Sequence, residues 1–320
     1  MRAIKPFLKW AGGKRQLLPE IRRFYPRQLE RYWEPFAGSG AVFFDLKAAG
    51  LLERKPAFLI DNNADLVGCY QTLRDQVEDV IQTLETLRRR HDRDARQTYY
   101  DVRRRFNAER MRRLQDGDTA ANRVELAAML IYLNRTGFNG LFRLNARGSF
   151  NVPIGRYTNP RVCDADNLRN VSAVLRDRTV SIQCGSYELV ADQACAGDFV
   201  YFDPPYAPTS ATANFRAYTA EGFSTRDQKR LQRVVIGLAR KGCAVLLSNS
   251  SAAEIEQLYE HNTEASRAGL KVFRVKARRA INSKAKSRGP VDELLVSNLE
   301  RRAGWSKTSA GGRGSRTTIV

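Results

Sequence analysis

The segment FVYFDPPYAP, residues 199–208, sets a carboxylate, two prolines and a phenol at the end of an apolar, strand-forming run. Proline cannot continue a central sheet ladder, so the strand must stop at the acid. One reading is a helix-capping aspartate before a Pro-rich turn. The chemical reading starts from an exocyclic amino group on a nucleobase, whose lone pair is delocalised into the ring and is a poor nucleophile. Asp203 accepting one N–H, and the Pro204 carbonyl accepting the other, would draw that nitrogen toward sp3 geometry and expose its lone pair. Pro204 has no N–H of its own, and Pro205 stiffens the backbone behind it. Tyr206 can stack on the face of a flipped base.

A second constellation lies upstream. EPFAGSG, residues 34–40, follows a short strand-like run and opens a helical one, so Gly38 and Gly40 fall in a strand-to-helix turn. It is not the GxGxxG fingerprint, and such a turn can be purely structural. Asp61 ends the next strand-like run about 20 residues later, where sheets of this kind place an acid on a ribose hydroxyl. A nucleoside-containing cofactor is therefore expected. AGGKRQ, residues 11–16, fails as a phosphate-binding Walker loop, because Leu8 and Arg15 stand where Gly and Ser or Thr are required. Only His91 and His261 are present, both in charged sequence surroundings, and the five cysteines show no C-x-x-C pair. No metal site, histidine base or Ser-His-Asp triad is expected, and the cysteines read as small buried hydrophobes.

The elements that must position these groups alternate at both ends of the chain. Residues 31–40, 41–50 and 56–63 read as strand, helix and strand. From residue 65 to about 90, Leu66, Tyr70, Leu73, Val77, Ile81, Leu84 and Leu87 keep a helical period, and residues 99–113 and 123–133 read as further helices. Residues 134–157 read as a hairpin, with Asn139-Gly140 as a turn signal. Strands are then expected at 179–184, 199–203, 243–249, 270–275 and 292–298, with a helix at 224–242 capped by Ser224 and ended by Gly242. The fold class is α/β, with helices on both faces of a sheet and a mostly helical insert carrying a β-hairpin.

Charge narrows the partners. Lys and Arg number 54 against 34 acids among 320 residues, a net charge of +20. This excess favours a polyanion, although ribosomal or membrane-surface binding could produce it too. Residues 86–113 hold eleven Arg against four acids, and residues 271–289 hold eight Lys or Arg and no acid. The first run reads as a solvated helical face as readily as a binding one; the second is expected to contact phosphate. No apolar run suits a signal peptide or a membrane span, so a cytoplasmic, nucleoid-associated protein is expected.

FLKWAGGK (7–14), EPFAGSG (34–40), NGLFRLNARGSFNVPIGRY (139–157) and DPPYAPTSATANF (203–215) together resemble the Dam-type N6-adenine DNA methyltransferases, in the same order along the chain. The likeness runs from about Pro6 to Asn298. It implies a Rossmann-like methyltransferase sheet, S-adenosyl-L-methionine as cofactor and double-stranded DNA as partner. It assigns Trp10, Lys14, Glu34, Pro35, Phe36, Gly38, Gly40, Asp61 and Asp203 to the cofactor site, and Asp203, Pro204 and Tyr206 to the target adenine. It also implies that Phe138 and Asn139 wedge into the duplex, that Leu141 and Arg143 read bases, and that Lys9 and Arg156 contact DNA. GATC is the implied target and a monomer the expected state. By this likeness, residues 1–63 and 164–300 form the catalytic domain and 64–163 the target-recognition domain; residues 301–320, with five basic residues, no acid and many Gly and Ser, are expected to be a disordered basic tail. The departures are Phe138 in place of the usual Tyr, and the surplus arginine. Methyl transfer to cytosine N4, RNA adenine or a protein amide, and a DNA-binding relative without catalysis, are the alternatives.

Overall fold

The strand-forming runs assemble into one seven-stranded sheet. The structure is a computed structural model that describes residues 4–10, 14–116, 120–208, 223–278 and 290–303. The strands are β1 (Tyr32–Glu34), β2 (Ala57–Asp61), β3 (Val180–Cys184), β4 (Phe199–Phe202), β5 (Ala244–Ser250), β6 (Lys271–Arg278) and β7 (Pro290–Ser297). Their order is β3-β2-β1-β4-β5-β7-β6. β7 runs antiparallel between β5 and β6, and the other neighbours are parallel. The chain leaves β1 toward β2 on one side and returns on the other as β4. A crevice therefore opens beyond the carboxyl ends of β1 and β4, where such sheets bind ligands.

The helices are α1 (Leu18–Ile21), α2 (Ala41–Ala48), α3 (Ala64–Asp75), α4 (Val77–Arg93), α5 (Ala95–Asp116), α6 (Ala120–Thr136), α7 (Ala165–Leu175), α8 (Leu189–Gln193), α9 (Thr225–Arg240), α10 (Ala253–Tyr259) and α11 (Thr263–Arg267). Alternation along β4 feeds two cores, with Phe199 and Tyr201 in one and Val200 and Phe202 in the other. α3 to α6 lie between β2 and β3 in sequence, and α6 is buried from Leu126 to Asn134. Local chemistry sets the ends that matter. Asn63 caps α3 by accepting from the N–H groups of Asp65 and Leu66. Ser224 and Asp227 form a capping box on α9, and Gly242 follows that helix at φ +87°.

Four expectations need correction. The helix expected over 65–90 is two helices, broken at Gln76 (φ −134°, ψ 45°). The carbonyls exposed at the break are taken by α7: Ser172 and Arg176 donate to Arg74 O, and Arg176 to Asp75 O. The hairpin turn lies at Asn145–Gly148, closed by Asn145 N–H donating to Ser149 O, and not at Asn139-Gly140. Asn139 and Gly140 are both left-handed, at φ +54° and +64°, but they form a single 3-10 turn at the hairpin base. His91 is buried, its Nδ1 2.8 Å from Tyr132 Oη, rather than solvated among charges. Of the cysteines, Cys69 and Cys243 are buried, whereas Cys184 and Cys195 are exposed.

Much of the arginine run at 86–113 is locally paired: Arg88 with Glu85, Arg104 with Asp101, Arg105 with Glu125 and Arg112 with Glu109. In the second basic run, Arg274 pairs with Glu256 and Glu260. Residues 279–289 of that run and 304–320 of the basic tail lie outside the described residues, as do 11–13 and 209–222. No described helix is long and apolar enough to cross a membrane.

Candidate active site

The turn after β1 and the acid at the end of β2 form one half of the crevice. Gly38 sits at φ +48°, and a Cβ there would come within 2.9 Å of Trp10 Cδ1, so glycine lets the indole lie on the turn. Asp61 accepts from Gly38 N–H at 3.0 Å and from Asn63 N–H at 2.9 Å. Burial raises the Asp61 carboxyl above the usual carboxylate value, and those two N–H groups oppose the rise. Tyr70 Oη donates to Gly38 O from the other side. Ala37, Leu59, Leu66, Val67, Tyr70 and Ile182 line the adjoining apolar hollow with Asp61. One carboxylate with lone pairs to spare, an apolar wall and a close-approach glycine suit a nucleoside.

Glu34, Pro35 and Phe36 stand differently from one another. Glu34 is buried behind the turn, where its Oε2 accepts from Tyr32 Oη at 2.8 Å and Phe43 N–H at 3.0 Å. Burial pushes its carboxyl up to about 8. Pro35 is buried, and Phe36 stacks on Tyr187 with ring centroids 5.1 Å apart. Gly40 opens α2 in a left-handed conformation, φ +64°.

Asp203 follows β4 directly and forms the other half. Its Oδ1 meets Lys14 Nζ at 2.8 Å and the Ser248 hydroxyl at 3.0 Å. Tyr201 Oη lies 3.0 Å from Ser248 Oγ and completes a buried polar row. Burial raises the Asp203 carboxyl, while the Lys14 ammonium and the Ser248 hydroxyl pull it back. For Lys14, burial lowers the ammonium, but the charges of Asp203, Tyr201 and Glu293 more than offset it and leave it above the ordinary lysine value. Lys14 Nζ also lies 4.5 Å from the Tyr206 ring centroid, and Tyr206 Oη donates to Glu293 Oε2 at 2.8 Å.

The loop carrying Asp203 to Ala207 is held by groups that sequence reasoning missed. Gln228 donates to Pro205 O, Asn249 accepts from Ala207 N–H, and the Ser250 hydroxyl donates to Ala207 O. The signal was the polar triplet Ser248-Asn249-Ser250 at the end of a strand whose earlier residues are apolar. Glu293 lies on β7 opposite Ser250 and gave no local signal at all.

The amino-terminal segment and the hairpin converge on the same crevice. Asn134 accepts from Lys9 N–H at 2.7 Å and donates to the carbonyls of Lys9 and Gly140. A Cβ on Gly140 would sit 2.5 Å from Lys9 Cβ, so the two backbones cross in close contact. Lys9 Nζ lies 4.0 Å from the Tyr157 ring centroid, and burial lowers its ammonium. Trp10 stacks on Phe142 at 5.9 Å and thereby touches both the Gly38 turn and the hairpin. Phe138, Asn139, Arg143 and Arg156 are exposed, and Leu141 is half-buried. The described residues contain no cluster of His, Cys, Asp and Glu suited to a metal ion.

The chain is similar in sequence to known proteins. A family described as D12 class N6 adenine-specific DNA methyltransferase matches residues 10–281. The type II methyltransferase M1.LlaDCHI of Lactococcus lactis is 38% identical over 296 residues, 92% of this chain and 95% of its own. The type II methyltransferase M.MjaIII of Methanocaldococcus jannaschii is 39% identical over 306 residues, 92% of this chain and 99% of its own. The DNA adenine methylase of Escherichia coli is 36% identical over 296 residues, 92% of this chain and 96% of its own.

Proposed function

The chain belongs to the D12 class N6 adenine-specific DNA methyltransferase family, and on that premise we propose that it methylates a flipped adenine of GATC in duplex DNA, using S-adenosyl-L-methionine. The observation that carries this reading is that Asp203 ends β4 and the Gly38 turn follows its neighbour β1, at the point where the strand order reverses. Asp61 would take the ribose of the cofactor, beside the Gly38 turn and the Trp10 indole that lies on it, with Gly40 opening the helix behind. Pro35 and Phe36 extend that side, Glu34 supports the turn from behind, and Lys14 reaches the cofactor site from its pair with Asp203. The bound cofactor supplies a sulfonium methyl group.

The protein's part is orientation and electrostatics. Ser248 and Lys14 both engage Oδ1 of Asp203 and favour its ionised form. That carboxylate accepts one N–H of the adenine amino group and the Pro204 carbonyl accepts the other, which turns the nitrogen lone pair outward. Tyr206, held through its hydroxyl by Glu293, stacks on the base.

Exposed Phe138 and Asn139 at the hairpin base support a wedge that fills the gap left by the flipped base. Leu141 meets a thymine methyl and Arg143 a guanine edge, with Lys9 and Arg156 as further DNA contacts. Residues 64–163 act as the target-recognition domain between two parts of a catalytic domain, 1–63 and 164–300. The enzyme works as a monomer in the cytoplasm, associated with the nucleoid, and the net charge of +20 supports its affinity for DNA.

The test is methyl transfer to duplexes containing GATC, to the same duplexes with one base pair changed, and to single-stranded RNA. Transfer confined to GATC supports the proposal. A different preferred duplex moves the specificity while keeping the chemistry, and transfer to RNA alone overturns the substrate.

A further inference from the structure

We propose that one face of α5 is a splint that sets the shape of the hairpin, so that Asn107 and Arg110 are positioning residues for sequence discrimination. This rests on the reading that the hairpin faces DNA. The hairpin is poorly held by its own ladder, which amounts to the isolated bridges Gly137↔Ile154 and Leu144↔Phe150. Backbone groups along its returning arm need other partners, and α5 provides them at regular intervals. Tyr99 Oη and Arg103 Nη1 both donate to Val152 O, at 2.9 and 3.1 Å. Asn107 donates to Phe150 O at 3.0 Å and accepts from Phe150 N–H at 2.7 Å, as a neighbouring strand would. Arg110 Nη1 donates to Gly148 O at 2.6 Å, in the turn itself.

The spacing explains the match. Four helical residues rise about 6 Å, and two extended residues advance about 6.6 Å. Positions 103 and 107 of α5 therefore stay in step with 152 and 150 of the hairpin, while Tyr99 shares Val152 O from one turn earlier and Arg110, three residues beyond Asn107, spans to 148 with its long side chain. Asn151 lies between two of these held residues. Its N–H donates to Arg143 O at 3.1 Å, and its Oδ1 accepts from Arg143 Nε at 2.7 Å. The base-reading arginine is thus braced, main chain and side chain, by a residue that α5 fixes on either side. Arg110 extends the connection inward, since its Nε donates to Asp65 Oδ2 at 2.6 Å in the first turn of α3, directly after the Asp61 loop. That ion pair is buried, with side chains 10% and 5% exposed, so the splint is anchored to the cofactor side of the sheet.

The test measures kcat/KM for the best-methylated duplex against the same duplex with one base pair changed, at the position whose discrimination Arg143→Ala relaxes. If Arg143→Ala relaxes no position, the hairpin reading fails and this proposal falls with it. Otherwise Asn107→Ala is expected to reduce the ratio about tenfold through loss of two hydrogen bonds. Arg110→Lys keeps a cation beside Asp65 but cannot serve Gly148 O as well, and is expected to reduce the ratio about threefold. Cofactor affinity and the thermal midpoint should stay near wild type in Arg110→Lys, which carries the test alone if Asn107→Ala lowers the midpoint. An undiminished ratio in Arg110→Lys and in folded Asn107→Ala, beside relaxed discrimination in Arg143→Ala, overturns the splint without touching the hairpin reading.

Discussion

Replacing Lys14 by methionine removes the cation from a pair whose partner stays behind. Lys14 Nζ and Asp203 Oδ1 are 2.8 Å apart, with side chains 6% and 21% exposed. Stranding a fully buried carboxylate costs about 3–5 kcal/mol. Asp203 keeps the Ser248 hydroxyl and part of its surface, which brings the expected loss to about 2–3 kcal/mol. Methionine retains most of the lysine volume, so little of this is a cavity effect. Asp203→Asn in the Lys14→Met background removes the stranded charge and should recover most of the loss, giving a coupling of about 2 kcal/mol in a double-mutant cycle. Urea unfolding followed by tryptophan fluorescence reads all four corners. A Lys14→Met loss below about 0.5 kcal/mol, or strictly additive changes, would refute the claim that this pair is a buried, mutually dependent unit.

Three further outcomes follow from the same geometry. Ser248→Ala deletes a hydrogen bond that favours ionised Asp203, so the acid limb of single-turnover methyl transfer should move to higher pH by about half a unit or more; an unmoved limb would detach Ser248 from the reaction. Gly38→Ala forces a β-carbon to 2.9 Å from Trp10 Cδ1 at φ +48°, and should weaken cofactor binding about tenfold or more by calorimetry, with duplex affinity little changed. Burial carries the Glu34 carboxyl up to about 8 in the folded protein, from about 4.3 in the unfolded chain. The folded state therefore holds a proton that the unfolded chain releases, a contribution fully present below pH ~4.3 and lost as pH rises through about 8. Glu34→Gln should flatten that part of the stability profile, and an unaltered slope would assign the dependence to other groups.

The strand that ends at Asp203 and the glycine turn were legible because their information is local. Proline must end β4 at Asp203, and glycines must supply the positive φ at residues 38 and 40. The strand positions followed for the same reason, since each apolar run is bounded by its own turn residues. What stayed hidden is held across the fold. The break at Gln76 leaves the apolar period of α3 and α4 intact, and it depends on Ser172 and Arg176 arriving from α7. α7 itself buries Leu168, Val171 and Leu175 at helical spacing, a pattern too short to stand out in the sequence. Ser248 and Glu293 reach the Asp203–Ala207 loop through strand pairing, from 45 and 87 positions further along the chain than their partners. Asn139-Gly140 carries a strong hairpin signal, yet the hairpin closes at Asn145–Gly148, because Gly140 is needed where Lys9 crosses it.

Transfer of labelled methyl from S-adenosyl-L-methionine to duplex DNA, with nucleoside analysis of the product, tests the central claim most directly. Wild type and Asp203→Asn are compared at equal cofactor saturation. The label should appear in N6-methyladenine with wild type and fall by at least about a thousandfold with Asp203→Asn, while duplex affinity changes little. Near-normal turnover by Asp203→Asn, or label in cytosine in place of adenine, would contradict the assignment of this carboxylate and of the base it receives.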